Sequence, residues 1–158
     1  MGFYDDIDLD FSWQGDFLIG SDGDLKDTSD DYLLALVNDI RDITKSELGD
    51  WYKDPQFACS LSEFQGMKNT RETGKALENR VKSRIIALNL VKSEDLIVKV
   101  TPVHINQVMI LITILATSTP ENKLEIGEPI KLSFVYDSTE NGIYFMPPNI
   151  YSNDDFLV

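Results

Sequence analysis

Apolar and polar positions along this chain follow two different periods. Near the start the period is two: Ile7, Leu9 and Phe11 alternate with Asp6, Asp8 and Asp10. That alternation predicts an extended arm over residues 1–16 with one apolar and one acidic edge, because successive side chains of an extended chain point to opposite sides. Phe17-Leu18-Ile19 predicts a short strand, Asp22-Gly23 a tight turn, and Asp24-Leu25 the start of a return strand, hence a small N-terminal hairpin. The period then lengthens. Thr28-Ser29-Asp30-Asp31 is rich in helix-capping residues, and Leu33, Leu36, Val37, Ile40 and Ile43 recur three and four positions apart. Together they predict an amphipathic helix from about Asp30 to Ser46, with Gly49 close behind its end.

Residues 49–70 keep neither period. Asp54-Pro55 disfavours helix, since a proline pushes the preceding residue to extended backbone, and Ser60 to Phe64 predicts a short helical turn. Trp51 and Tyr52 are expected to anchor this loop on the helices. A second helix is predicted from about Arg71 to Leu90, with Leu77, Val81, Ile85 and Leu88 as its apolar seam and Arg80 and Arg84 one turn apart on a flank. Strands follow: Leu96 to Val100, a continuation over Val103 to Ile105 after Pro102, and Val108 to Ala116 beyond an Asn106-Gln107 connection. The last of these is nearly all apolar and is expected to be buried on both faces. Ile130 to Tyr136 alternates Ile130, Leu132, Phe134 and Tyr136 with other residues, and Asn141-Gly142 predicts a hairpin into Ile143-Tyr144-Phe145.

The expected class is therefore α+β: two amphipathic helices packed on a small, mostly antiparallel sheet, with an N-terminal hairpin and extended termini. Three segments are expected: the acidic arm 1–16, an α+β domain over 17–116, and a C-terminal hairpin and tail over 117–158.

At 158 residues and 42 % hydrophobic, the chain can bury a full core without a disulfide or metal. One cysteine, Cys59, excludes an internal disulfide and a cysteine zinc site, and one histidine, His104, excludes any two-histidine metal motif. No cofactor and no metal are expected. The N-terminus carries no basic-then-apolar targeting pattern, and Val108 to Ala116, the longest apolar stretch, falls far short of the roughly 20 residues of a membrane span. The chain is expected to be cytosolic where it is made and to bind no membrane.

The formal charge of −13 is unevenly distributed. Residues 1–31 hold ten aspartates against Lys26, whereas residues 64–99 hold eight basic side chains against four acidic ones. Such a head and waist suit complementary neighbours, further copies of this chain among them, and the overall charge repels free nucleic acid.

Candidate chemistry is sparse. Asp22 to Asp27 begins like a calcium loop, but Lys26, Asp27 and Leu33 stand where such a loop needs an acid, a glycine and a glutamate. Glu47, Asp50 and Asp54 around Trp51-Tyr52 offer carboxylates beside aromatics, the ingredients of a glycosidase cleft, without a fixed acid–base pair. Cys59 and His104 lie in different elements with no motif joining them. No glycine-rich phosphate loop is present.

One ordered set of features carries a resemblance. Leu9-Asp10-Phe11, Gly15-Asp16-Phe17-Leu18 and Asp22-Gly23-Asp24-Leu25 precede a helix with Leu33, Leu36 and Ile40. Thr44-Lys45-Ser46-Glu47-Leu48-Gly49, Asp54-Pro55-Gln56-Phe57-Ala58, a second helix and Glu94-Asp95-Leu96-Ile97 complete the order. The set resembles the baseplate wedge, or sheath initiator, family of contractile phage tails and related injection machines, often described as lysozyme-like. It differs from the family at Ala58, where glycine is preferred, at Glu47 and Gly49, which stand in reverse order, and at Glu94, the one residue kept of a Glu-Pro-Arg signature. The segment from Thr117 onward lies outside the resemblance.

The resemblance implies a non-enzymatic virion protein of the tail baseplate, present in several copies and made in the host cytoplasm. It would join the wedge core bundle, nucleate the contractile sheath and approach the tail tube. On that reading Leu77, Val81, Ile85 and Leu88 would serve the bundle, and Arg80, Arg84 and Glu94 would make charged contacts. Residues 130–136, with Ile130, Leu132, Phe134 and Tyr136, and residues 143–145 would serve added strands. The alternatives are a peptidoglycan-cleaving tail enzyme using Glu47 with Asp50 or Asp54, and a calcium-responsive interaction module.

Overall fold

The structure, a computed structural model, describes residues 17–25, 32–89, 91–115, 117–118, 123–124 and 128–146. The expected arm over 1–16, the helix-start cluster 28–31 and the tail after Met146 lie outside the described residues. Within them the fold is α+β, with two helices against one four-stranded antiparallel sheet.

Helix α1 spans Tyr32–Lys45. The expected apolar stripe is present, but the helix is not a surface helix. Five consecutive positions, Leu34 to Asn38, are buried, and Arg41 and Thr44 are buried with them. Five neighbours in a row cover every azimuth of a helix, so the first half of α1 is enclosed all round, while Asp39 and Asp42 are half-buried and Lys45 is exposed. Thr44 makes this compatible with burial by donating its hydroxyl to the Ile40 carbonyl at 2.6 Å. Ser46 does the same to the Asp42 carbonyl one residue past the end.

Helix α2 spans Arg71–Ala87 and buries a narrower seam, Leu77, Val81 and Ile85, followed by Leu88 at its cap. Thr70 caps its start by accepting the Thr73 amide. It ends before the expected Leu90 because Asn89 takes a left-handed backbone (φ 58), the usual way a helix is stopped. The predicted turn near Phe64 is a single 3₁₀ turn, Leu61–Phe64, and a second such turn, Ser93–Asp95, precedes the sheet.

The strands are β1 (Leu96–His104), β2 (Gln107–Ile114), β5 (Ile130–Asp137) and β6 (Gly142–Met146), in spatial order β1-β2-β5-β6. Between β2 and β5, the two-residue strands β3 (Thr117–Ser118) and β4 (Lys123–Leu124) pair with each other. Strand β1 continues past Pro102 to His104 with a register shift between the two, because β1 is an edge and a proline is tolerated there when its nitrogen faces away from the ladder. Asn141 adopts φ 53 in the predicted turn before β6. Among the described residues the early hairpin shows a bridge between Ile19 and Leu25, around Gly23 (φ 84).

The segment after residue 116 is no appendage. Strand β5 pairs with β2 over eight residues, from Gln107–Asp137 to Ile114–Ile130, so half of the sheet comes from it. The boundary expected at 116/117 therefore falls inside one core. That core joins Leu36, Ile40 and Ile43 of α1, Leu77, Val81 and Ile85 of α2, and the inward rows of the sheet. Strand β2 buries Val108, Ile110, Ile112 and Ile114 fully, while Gln107, Met109, Leu111 and Thr113 on its other face are half-buried. Burial on both faces was expected; the helices cover one.

Candidate functional site

The two edges of the sheet differ, and the backbone explains how. In an antiparallel ladder a residue's N–H and C=O point to the same side, and the side alternates along the strand. The Val100 amide donates to Glu78 Oε1 of α2, so it points away from β2. By alternation, Val98 and Pro102 point outward as well. One outward donor is thus capped by a carboxylate and another is absent, which blunts the β1 edge against strand addition.

The same alternation can be carried across the sheet. Val100 is opposite Ile110, and Ile110 opposite Phe134. If Val100 points outward, Ile110 bonds with Phe134, and Phe134 then faces away from Phe145, its partner in β6. The backbone groups of Phe145 and Ile143 therefore face the free edge of the sheet. No capping bond to either is present among the described residues. Phe145 is held in place by Phe134, 5.1 Å between ring centroids, and by the Lys45 ammonium 5.3 Å above its ring. Tyr144 and Met146, on the outer face of the same strand, are each about half exposed. Lys45 is pushed below the ordinary lysine range by burial and by Arg41, with Asp42 opposing.

The residues singled out in the sequence divide sharply. Leu77, Val81, Ile85 and Leu88 all lie in this chain's own core, with Val81 and Ile85 fully enclosed. Ile130, Leu132, Phe134 and Tyr136 form the inward row of β5. None of these eight offers side-chain surface to a partner in this fold. The correction has a simple cause: an apolar seam reads the same whether its cover comes from the same chain or another. Tyr136 also donates its hydroxyl to the Leu61 carbonyl at 2.8 Å, and burial pushes its phenol up to about 12.

Arg80 is an internal latch. Its guanidinium donates to the Cys59 carbonyl at 3.0 Å and to Glu63 at 2.6 Å, and it lies over the Phe64 ring. This ties α2 to the loop before the 3₁₀ turn, and the Arg80 contact holds the Glu63 carboxyl below its ordinary range. Arg84 is half-buried on the same flank, and Glu94 is exposed in the 3₁₀ turn before β1.

The carboxylates of the glycosidase alternative hold the loop between the helices. Glu47 accepts from the Ser62 amide and hydroxyl, Asp50 from the Glu47 amide, and Asp54 from the Gln56 amide. Trp51 anchors this loop as expected, donating to Ser46 Oγ and meeting Phe57 edge to face at 5.2 Å. Tyr52 does not: it is 97 % exposed. Asp22 and Asp24 bond to amides of their own turn. Cys59 is fully enclosed between the helices, whereas His104 is exposed at the end of β1, so the two form no pair. An open groove of about 710 Å³ lies between α2 and β1, with the Lys75–Glu78 ion pair on one side and Val100 and Pro102 on the other.

No protein-family model matches this chain, and no curated protein matches it.

Proposed function

We propose that this protein is a structural component of a contractile-tail baseplate, a sheath-initiator-like protein that assembles with wedge and sheath proteins and catalyses no reaction. The order of motifs from Leu9 to Glu94 motivates the reading. The observation that carries it is the asymmetry of the sheet: β1 is blunted by Glu78 and Pro102, while β6 presents the backbone of Ile143 and Phe145. One blunted edge and one edge left uncapped among the described residues suit a subunit that accepts a strand from a neighbour in a single direction. The contacts with partners belong to β6 and to exposed side chains, and not to the helix seam.

The test is co-expression of the tagged protein with the products of its neighbouring genes, followed by pull-down and negative-stain imaging. Recovery in rings or partial baseplates is expected. Hydrogen exchange on the recovered complex should then show new protection at Ile143 and Phe145. Recovery of a lone chain, or a complex in which those two amides exchange as fast as before, would overturn the proposal.

A further inference from the structure

The groove between the first turns of α2 and the β1 edge, about 710 Å³, is large for a chain of this size. Arg71, Lys75 and Glu78 line its helical wall, and Val100 and Pro102 its strand wall. Gly74 keeps the floor open; a Cβ there would lie 3.7 Å from Val100 Cγ1. Glu78 and Pro102 close the ladder along this edge, so an occupant of the groove is held by side chains and not by strand pairing.

Cations outnumber carboxylates around this groove. Glu78, the one carboxylate lining it among the described residues, already accepts from Lys75 at 2.8 Å and from the Val100 amide at 3.2 Å. Arg71 makes no ion pair with any described residue. Neither do Lys68 before the helix, Lys82 one turn beyond Glu78, or Lys99 next to Val100. Glu72, the other carboxylate of the first two turns, sits about 100° round the helix from Arg71. Glu94 and Asp95 precede the opposite end of β1. Spacing selects the occupant more narrowly than charge does. Arg71 and Lys75 are four residues apart on a helix, about 6 Å along its axis. Carboxylates two positions apart on an extended chain stand about 6.6 Å apart. Asp6, Asp8 and Asp10 have that spacing, with Ile7, Leu9 and Phe11 on the other edge. No other stretch of the chain alternates carboxylates with apolar residues over six positions.

We infer that residues 6–11 of one copy dock in the α2–β1 groove of a second copy, with their carboxylates on Arg71 and Lys75 and their apolar edge on Val100 and Pro102. Lys75 keeps Glu78 and still has donors to share, since an ammonium carries three. The groove is open within its own chain: Arg71 and Pro102 are exposed, and the Lys75 side chain is 69 % exposed. A seated arm would cover all three, so the arm comes from a second copy. Exchange in both directions uses both arms and both grooves and closes a two-fold dimer. The inference stands apart from strand addition at β6 and does not require the baseplate reading.

The test uses full-length protein in sedimentation velocity, up to about 1 mM, and the anisotropy of a fluorescein-labelled peptide of residues 1–16. Wild type is expected to pass from 17.9 kDa to twice that mass as concentration rises, and to bind the peptide. Asp8→Lys with Asp10→Lys should hold the protein at the monomer mass while its groove still takes the peptide. Arg71→Glu and Gly74→Leu should each weaken both association and peptide binding about tenfold. Gly74→Leu fills the floor without changing a charge, and leucine suits a helix interior better than glycine, so its urea midpoint should not fall. If Arg71→Glu melts early, Lys82→Glu replaces it. A peptide of the same composition with its carboxylates gathered in one block should bind about tenfold more weakly than the alternating one. A wild type that stays monomeric, an arm variant that associates like wild type, a Gly74→Leu protein that binds the peptide as tightly, or a block peptide that binds equally well would each overturn the inference.

Discussion

Raising the pH above 9 should destabilise this protein through Cys59. The thiol is fully enclosed, and burial pushes it from 9.0 up to about 12; Arg84, Arg80 and a hydrogen bond with Thr44 pull the other way, and Glu47 adds to the rise. In the unfolded chain the thiol ionises near 9.0. Above that pH the unfolded state binds fewer protons than the native state, so stability falls as pH rises. The contribution is fully present below 9.0 and is lost progressively until the native thiol itself ionises near 12. The whole interval amounts to about 4 kcal/mol, and about 2 kcal/mol should be gone by roughly pH 10.5. That is a large part of the stability of an ordinary domain. The perturbation is Cys59→Ala, which removes the titrating group and leaves a small cavity whose cost does not depend on pH. Urea denaturation of both proteins at fixed ionic strength, from about pH 8 to about pH 11, gives the two slopes. Tyr136, pushed up to about 12, titrates in both and cancels in the difference. Above about pH 9 wild type should lose stability more steeply than Cys59→Ala, and below it the two should run parallel. Parallel slopes above that pH would refute the reasoning, since they would mean that the thiol ionises equally easily in both states.

Three further outcomes are expected. Tyr136→Phe removes the hydroxyl from the Leu61 carbonyl and should cost about 1–2 kcal/mol, read as a lower urea midpoint at unchanged m; an unchanged midpoint would show that this bond contributes nothing. Leu77→Asp or Val81→Asp places an unpaired carboxylate in the core and should cost about 4 kcal/mol or more, so that circular dichroism at neutral pH shows a largely unfolded chain. A well-folded product would instead return that seam to the surface. In native-state hydrogen exchange of the isolated protein, the Tyr144 and Met146 amides should exchange more slowly than those of Ile143 and Phe145; the reverse order would contradict the edge assignment.

Local signals determined much of this protein before any tertiary contact was considered. The three- and four-residue spacing of Leu33 to Ile43 and of Leu77 to Leu88 is enough to place both helices, because a helix must gather its apolar residues on one side to bury them. Asn141-Gly142 and the alternation of Ile130 to Tyr136 place the last hairpin for the equivalent reason in strands. What covers those faces was not legible, since periodicity says that a side chain is buried and not by what. Hence Leu77, Val81, Ile85 and Leu88 serve the chain's own core, and β5 and β6 complete the sheet begun by β1 and β2. Residues 143–145 are strand-adding candidates from the sequence, but the outward direction of the Ile143 and Phe145 backbone was hidden for a different reason. It depends on the pairing of Val100 with Glu78 across 22 residues and on the register that carries that direction through Ile110 and Phe134 to Phe145. Likewise Tyr52 and Trp51 are adjacent in sequence and alike in chemistry, yet one is bonded to Ser46 and the other stands in solvent. Only long-range contacts separate such neighbours, because burial belongs to the assembled core and not to the residue.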